Sequence, residues 1–340
     1  MSKRVYQREE LMRSHDYARP QLEAGRRLHG GFDAGGRYIP PRVLERGPAI
    51  QTWTEALRAR GGDLLAADSS LLAGIRYPSD AQWKLLLLEG LGQSFWNTLT
   101  ITGMIEGRGR VLAEMTFPEL QPVIEEDISE MAVGHLGKGL LEIHGLDEGG
   151  EPAAGIGGHD VMWFALRDLA FGDTDWPEPE LPELARPESE ASDIQGLPLG
   201  IVRTVYFLAN LLMIEFRAER GFSFSEKLLR DPELFRERRA EAERAAEIVN
   251  RIRADEEIHV TSLRLYLGEL RQLTFQTADG GRLPGREVVD SLWKEIVTWA
   301  TVEQPPRAAA RQREIIEKRI CAHPEAERVQ RDFDALEDRA

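Results

Sequence analysis

The sequence predicts an all-α chain carrying four long helices, and three observations lead there. Apolar residues recur at spacings of three and four, as in Val249, Ile252, Leu263, Tyr266 and Leu270, the pattern of a helix with one buried face. No stretch alternates apolar and polar residues with period two for the length of a convincing strand. The chain of 340 residues is 42% hydrophobic and 30% charged, which suits a globular protein with a substantial core.

Taken in order, residues 1–50 are polar and rich in turn formers, with His29-Gly-Gly-Phe-Asp33, Gly35-Gly36, Pro40-Pro41 and Gly47-Pro48, and read as an extended arm. Thr52 to Ala67 suggests a short helix interrupted at Gly61-Gly62. Residues 1–78 thus form an N-terminal arm and short helix packing on the main helical body. Ser79-Asp80 is an N-cap for the first long helix, from Ala81 to about Ile105, whose buried seam holds Leu86, Glu89, Gln93 and Trp96. Pro118 and Glu119 open a second helix to about His144, with Ile124, Ile128, Met131 and His135 on one face. Gly145 to Gly158 reads as a glycine-rich loop, Gly158 to Gly172 as a short apolar helix, and Asp173 to Pro198 as an acidic, proline-rich crossover. The third long helix runs from Leu199 to about Gly221, with Ile201, Val205, Leu208, Leu212, Glu215 and Glu219 on its seam. The fourth runs from about Pro232 to Phe275, so residues 79–275 hold all four. Residues 276–340 form a helical extension of the same structural unit. It has one helix from Arg286 to about Thr301, then a charged helical stretch from Arg307 to Arg339.

Charge narrows the function. The net charge of −15 argues against binding to a nucleic-acid backbone or an anionic membrane surface. Cys321 is the single cysteine, which excludes an internal disulfide and cysteine-based metal clusters and fits a reducing, cytoplasmic setting. The first residues lack the apolar core of a secretory signal. Leu199 to Phe216 is apolar but contains Arg203 and Glu215, and reads as a buried helix.

The chemistry centres on Glu256 and His259, neighbours on the seam of the fourth helix. A carboxylate and an imidazole are costly to bury without partners, and a metal ion would satisfy both. Glu-x-x-His also puts both side chains on one side of a helix. Glu215 and Glu89 take seam positions on the third and first helices, and Glu130 and His135 lie on the second. The interval from Glu89 to Glu130 equals that from Glu215 to Glu256, which suggests two helix pairs of similar build. The metal-ligand candidates are therefore Glu89, Glu130, His135, Glu215, Glu256 and His259. Four have a plainer reading: Glu256 with His259 as a buried ion pair setting helix register, His135 as a satisfied core histidine, Glu215 as part of a surface pair with Glu219. His159-Asp160 caps a helix or lines a substrate pocket, and His29 belongs to a turn. Carboxylates with two imidazoles and no thiolates favour iron, manganese or zinc. Gln93, Asn97, Asp255 and Tyr266 are candidates to orient the histidines.

On Glu89, His135, Glu215 and the Glu256-x-x-His259 unit, residues 80–275 resemble the ferritin-like di-iron carboxylate superfamily. The resemblance implies a four-helix bundle with a long crossover between its second and third helices, and two metal ions, usually iron, able to bind dioxygen. The second helix departs from the pattern, because Ala132 rather than a glutamate stands three residues before His135. Glu130 and His135 would both face inward only across a π-bulge; otherwise Asp127, Glu142, Glu126 or water completes the site. The function this implies is a di-metal carboxylate oxidoreductase, with iron as the expected metal, using dioxygen on a small organic substrate. An electron-donor protein and a homodimer are further expected partners. The alternative is a metal-free or single-metal helical scaffold or binding protein whose buried Glu and His pairs set helix register.

Overall fold

The computed structural model describes residues 3–74, 77–181 and 193–337, and helices dominate it. The N-terminal arm begins with a single helical turn, α1 (Arg8–Leu11), followed by two small antiparallel hairpins, β1 (Gln21–Glu23) with β2 (Arg26–Leu28) and β3 (Gly31–Phe32) with β4 (Tyr38–Ile39). Strands of two or three residues are too short to show alternation, which is why the sequence reads as strandless there. Next come α2 (Val43–Ala59), α3 (Asp80–Leu88), α4 (Gln93–Gly109), α5 (Leu141–Gly149) and α6 (His159–Phe171). The two longest helices are α7 (Leu199–Arg230) and α8 (Arg239–Leu270); a hairpin of β5 (Thr274–Gln276) and β6 (Arg282–Pro284) then leads to α9 (Gly285–Thr298), α10 (Gln304–Cys321) and α11 (Ala326–Glu337). Part of the crossover expected over Asp173 to Pro198 lies outside the described residues.

Two predicted long helices are not continuous. The Ser79 cap is present, its hydroxyl accepting from Gln82 N–H. The helix it opens stops at Leu88, because Gly90 takes a left-handed φ of +76° that ends a helix readily. The second is interrupted further: residues 115–140 run through tight turns and a wide, partly non-helical turn at Leu136–Leu140. The Glu269 carboxylate pins this segment by accepting from Val133 N–H at 3.0 Å.

α7 and α8 run antiparallel, as cross-pairs fix: Arg230 reaches Glu243 (2.8 Å) near the turn, and Arg253 reaches Glu219 (2.8 Å) further along. By length and composition α7 alone among the described helices could cross a membrane, but 67% of its apolar window is buried inside the protein. Two apolar clusters divide the interior. One joins α2, α5 and α9 to the first half of α7 and the last half of α8, through residues such as Trp53, Leu208, Leu263 and Leu292. The other joins α3, α4, α6, α10 and α11 to the opposite halves, through Phe95, Trp163, Phe222 and Ile252. Each fully buried side chain of this size contributes roughly 1.5–3 kcal/mol. Between the two clusters, α7 and α8 carry Glu215 and the Asp255-Glu256…His259 stretch, so the polar residues lie at a boundary that both cores enclose.

Candidate metal centre

Three helices besides α7 and α8 point side chains at that boundary. Glu106 comes from the last turn of α4, one helical step beyond buried Trp96, Leu99 and Gly103. His144, Asp147 and Glu148 come from α5, and His159 is the first residue of α6. α5 can approach because Gly145 has no side chain: a Cβ there would lie 2.4 Å from the backbone nitrogen of Ala113. All of these groups are buried.

Their ligand atoms form two overlapping sets, each within 4.8 Å of one another: His144, Glu148, Glu215 and His259 in one, Glu106, Glu148, His159 and Glu256 in the other. Glu148 is common to both. His259 Nδ1 lies 2.8 Å from Glu256 and 3.3 Å from Glu148. His159 Nδ1 lies 3.0 Å from Glu256 and 3.6 Å from Glu148. His144 Nε2 lies 3.0 Å from Glu215, and its ring stacks on that of His259 at 3.8 Å.

The far side of the two outer imidazoles is built alike. His259 Nε2 faces Asp147 at 3.2 Å, and Asp147 accepts from Arg46 at 2.8 Å. His159 Nε2 faces Asp255 at 3.1 Å, and Asp255 accepts from the Tyr38 hydroxyl at 2.9 Å. A carboxylate that accepts a hydrogen bond from Nε2–H of a neutral imidazole leaves the Nδ1 lone pair aimed into the cluster, the arrangement that orients metal-binding histidines. His29, on the arm, also comes within 3.2 Å of Asp255.

Four buried atoms at the centre lack a well-directed hydrogen bond: His144 Nε2, His159 Nδ1, Glu148 Oε1 and Glu256 Oε1. All four point to the shared space, and such atoms are costly unless something else binds them. Their chemistry, oxygen and imidazole nitrogen without sulfur, fits a hard or borderline divalent cation.

Without a cation the cluster holds protons instead. Burial, then the charge of Glu148, raises Glu106 well above the usual carboxylate range. Burial, then Glu256, does the same to Glu215. Burial pushes Glu148 up, but a hydrogen bond from Glu106 and the charge of His159 hold it well below that range. Burial and Glu148 also push Glu256 up, yet His259 and His159 outweigh them and bring it to about 2. His159 and His259 lose charge to burial but are raised well above the ordinary imidazole value by the surrounding carboxylates, Glu256 foremost. His144 is lowered by burial and by the neighbouring charge of His259.

Of the residues singled out in the sequence, Glu215, Glu256 and His259 meet here, and Asp255 stands behind His159. Glu89, Glu130 and His135 do not, and each is a correction. Glu89 falls at the end of α3, where Arg328 of α11 binds it at 3.0 Å and holds its carboxyl below the usual range. Glu130 is exposed and pairs with Arg4 at 3.5 Å. His135 is a satisfied core histidine: Nδ1 donates to the Met131 carbonyl at 2.7 Å and Nε2 accepts from Tyr6 N–H at 3.1 Å. The substitutes considered for the second helix lie elsewhere too. Glu126 binds Thr274, Asp127 accepts from Ser129 N–H, and Glu142 pairs with Arg8. Tyr266 is buried in the first apolar cluster, and Asn97 lies beside Arg319.

Sequence periodicity misses Glu106, His144, Glu148 and His159 as candidate ligands, with Asp147 and His29 behind them. Trp96, Leu99, Gly103 and Glu106 do follow a 3-4-3 spacing, and Leu140, His144 and Glu148 a 4-4 spacing. The first is lost because the predicted helix ends at about Ile105, one residue short of Glu106, and the second because Gly145 is read as the start of a loop. A cavity of about 670 Å³ opens onto Glu106, His144, Glu148 and Glu215 between α4 and α7. No protein-family model, curated protein or solved structure matches the chain significantly, so its chemistry is read from this geometry.

Proposed function

We propose that this chain is a di-metal carboxylate oxidoreductase of ferritin-like ancestry, most simply di-iron, acting with dioxygen on a small organic substrate. One observation carries the reading: two four-residue ligand sets, from five helices, that share Glu148. One ion would take His144, Glu215 and His259, the other Glu106, His159 and Glu256, with Glu148 between them. When bound, a reduced iron pair supplies electrons to dioxygen.

The protein's part follows from its own groups. Asp147 with Arg46 and Asp255 with Tyr38 hold His259 and His159 in the tautomer that presents Nδ1. Glu106, Glu215, His159 and His259 would give up protons to solvent as cations bound, freeing two carboxylates and two imidazole Nδ1 atoms to hold them. Phe207, Leu211 and Ile214 of α7 wall the adjacent cavity with apolar surface. The proposal includes an electron-donor protein and a reducing, cytoplasmic setting.

Anaerobic loading with Fe(II), followed by elemental analysis and an oxygen-consumption assay, tests it. Two equivalents of iron per chain are expected in the wild type and about one in Glu256→Ala, which belongs to one of the two ligand sets. Wild-type protein that retains no iron, manganese or zinc would leave the register-setting scaffold as the better account.

A further inference from the structure

The cavity between α4 and α7 is a slot whose two long walls are stripes at helical spacing. On α7 the stripe runs Phe207, Leu211, Ile214, Ala218 and Gly221; on α4 it holds Thr98, Ile101, Thr102 and Ile105. Steps of three and four keep each set on one face of its helix. All of these residues are half-buried, so the described chain leaves the space between the two faces unfilled. The Thr98 and Thr102 hydroxyls already donate to the carbonyls of Ser94 (3.1 Å) and Thr98 (2.9 Å), and neither has a proton left for a ligand. Of the two arginines at the slot, Arg108 is exposed and Arg217 packs 4.9 Å from the Trp299 ring centre.

The shape follows from the helices. α4 and α7 run antiparallel across the slot: Phe95, near the start of α4, lies 6.0 Å from Phe224, whereas Phe117, past its end, lies 5.7 Å from Phe207. At 1.5 Å per residue, the α7 stripe from Phe207 to Gly221 is about 21 Å long. A volume of about 670 Å³ spread over that length gives a mean section of only about 30 Å². Glu215 stands eight residues from Phe207 and six from Gly221. The cluster therefore meets the slot about 12 Å from one end and about 9 Å from the other. It sits near the middle of the slot.

Gly221 shapes one end. Glycine weakens a helix interior, yet a Cβ at 221 would meet nothing within 4 Å, so no neighbour forbids a side chain there. What glycine leaves is room in the slot. We propose that the slot binds an unbranched hydrocarbon chain lengthwise, with a carbon from the middle of the chain at the cluster and one end of the chain over Gly221. Apolar walls hold such a chain by burying its methylenes, and a long, narrow space admits an extended chain more readily than a compact molecule of equal size. The inference deepens the di-metal reading by naming its substrate class, and it rests on that reading only for what the middle of the chain faces.

Calorimetric titration of the full chain, before and after zinc loading, with hexan-1-ol, octan-1-ol, decan-1-ol and dodecan-1-ol tests the slot. Affinity should rise about fourfold per added methylene. Cyclododecanol, with the same number of carbons as dodecan-1-ol, should bind at least about tenfold more weakly. Gly221→Leu should weaken dodecan-1-ol about tenfold or more and leave hexan-1-ol within about twofold; the smaller Gly221→Ala should cost dodecan-1-ol about fourfold. No saturable binding, equal affinity for cyclododecanol and dodecan-1-ol, or equal losses for the shortest and longest alcohols in both Gly221 variants would overturn the slot. Fluorine NMR of 6-fluorododecan-1-ol and 12-fluorododecan-1-ol with manganese-loaded protein reads the placement. The 6-fluoro signal should broaden more than the 12-fluoro signal, and the reverse order would overturn the lengthwise pose. Metal content of the same samples separates the two proposals. A chain-length trend in protein that holds no manganese or zinc breaks the di-metal reading and keeps the slot, whereas two bound ions without the trend break only the slot.

Discussion

The two sides of the candidate centre deliver similar groups on unlike backbones. On one side, Glu215, Glu256 and His259 stand on α7 and α8, uninterrupted helices of 32 residues each. On the other, Glu106 sits in the last turn of α4, and His144 and Glu148 occupy a nine-residue helix that follows a long irregular segment. The long helices place their candidate ligands by periodicity, between two apolar cores that fix register. The short ones place theirs by close approach, with Gly145 against Ala113 and buried Glu269 holding Val133. If this contrast is right, ligand loss should cost metal on either side, while small backbone changes should matter mainly on the α5 side.

The largest expected effect belongs to the residue both metal sets use. Glu148→Ala should lower zinc content from two ions per chain to fewer than one, read by elemental analysis of dialysed protein. Glu89→Gln, at the residue that periodicity favours but the fold gives to Arg328, should leave it at two. Equal loss in both would erase the distinction between the two carboxylates.

Next in size are the aspartates behind the imidazoles. Asp147→Asn and Asp255→Asn should each weaken zinc binding roughly 10–100-fold, measured by competition with a chelator. The two losses should be alike, because the two supports are built alike. A large loss in one and none in the other would show that the two histidines have different roles.

pH should separate the metal-free and loaded states. Glu106, Glu215, His159 and His259 are raised in the folded, metal-free protein. Their stabilisation is therefore full below their unfolded values, 4.5 and 6.5, and is lost as pH rises through the folded ones. Glu148, Glu256, Asp147 and Asp255 are lowered and work in the opposite sense, but their window lies below about pH 5. Zinc affinity should accordingly rise by roughly tenfold or more per pH unit between pH 6 and 8, as each bound proton is expelled. The melting temperatures of loaded and metal-free protein should draw apart over the same range. A gap that stays constant would mean that the cluster holds no exchangeable protons.

The smallest effect tests the backbone contrast directly. Gly145→Ala should destabilise by about 1–3 kcal/mol, because its Cβ meets the chain at 113. Gly221→Ala on α7, where a Cβ meets nothing within 4 Å, should stabilise by about 0.5–1 kcal/mol. Thermal denaturation of both variants would show whether the signs differ.

The same contrast explains what is legible in the sequence. Helical periodicity identifies the α class, α7, α8 and the three candidate ligands on them, because a long amphipathic helix repeats its signal many times. On α3 and α4 the pattern runs through Gly90 as if one helix continued, which moves the inward carboxylate from Glu106 to Glu89. On α5 the glycines of Gly145 to Gly158 read as a loop, although Gly145 permits a packed helix and the loop's end delivers His159. Those placements depend on tertiary approach, and no local spacing encodes them. His135 shows the converse: a buried histidine on an apolar face can be wholly satisfied by backbone groups.

The most direct test of the central claim is anomalous scattering at the iron absorption edge from crystals of the Fe(II)-loaded protein. The account predicts two peaks about 3.5–4 Å apart on either side of the Glu148 carboxylate, one beside His144 and His259 and the other beside His159. A single peak, or none between α5 and α8, would contradict it.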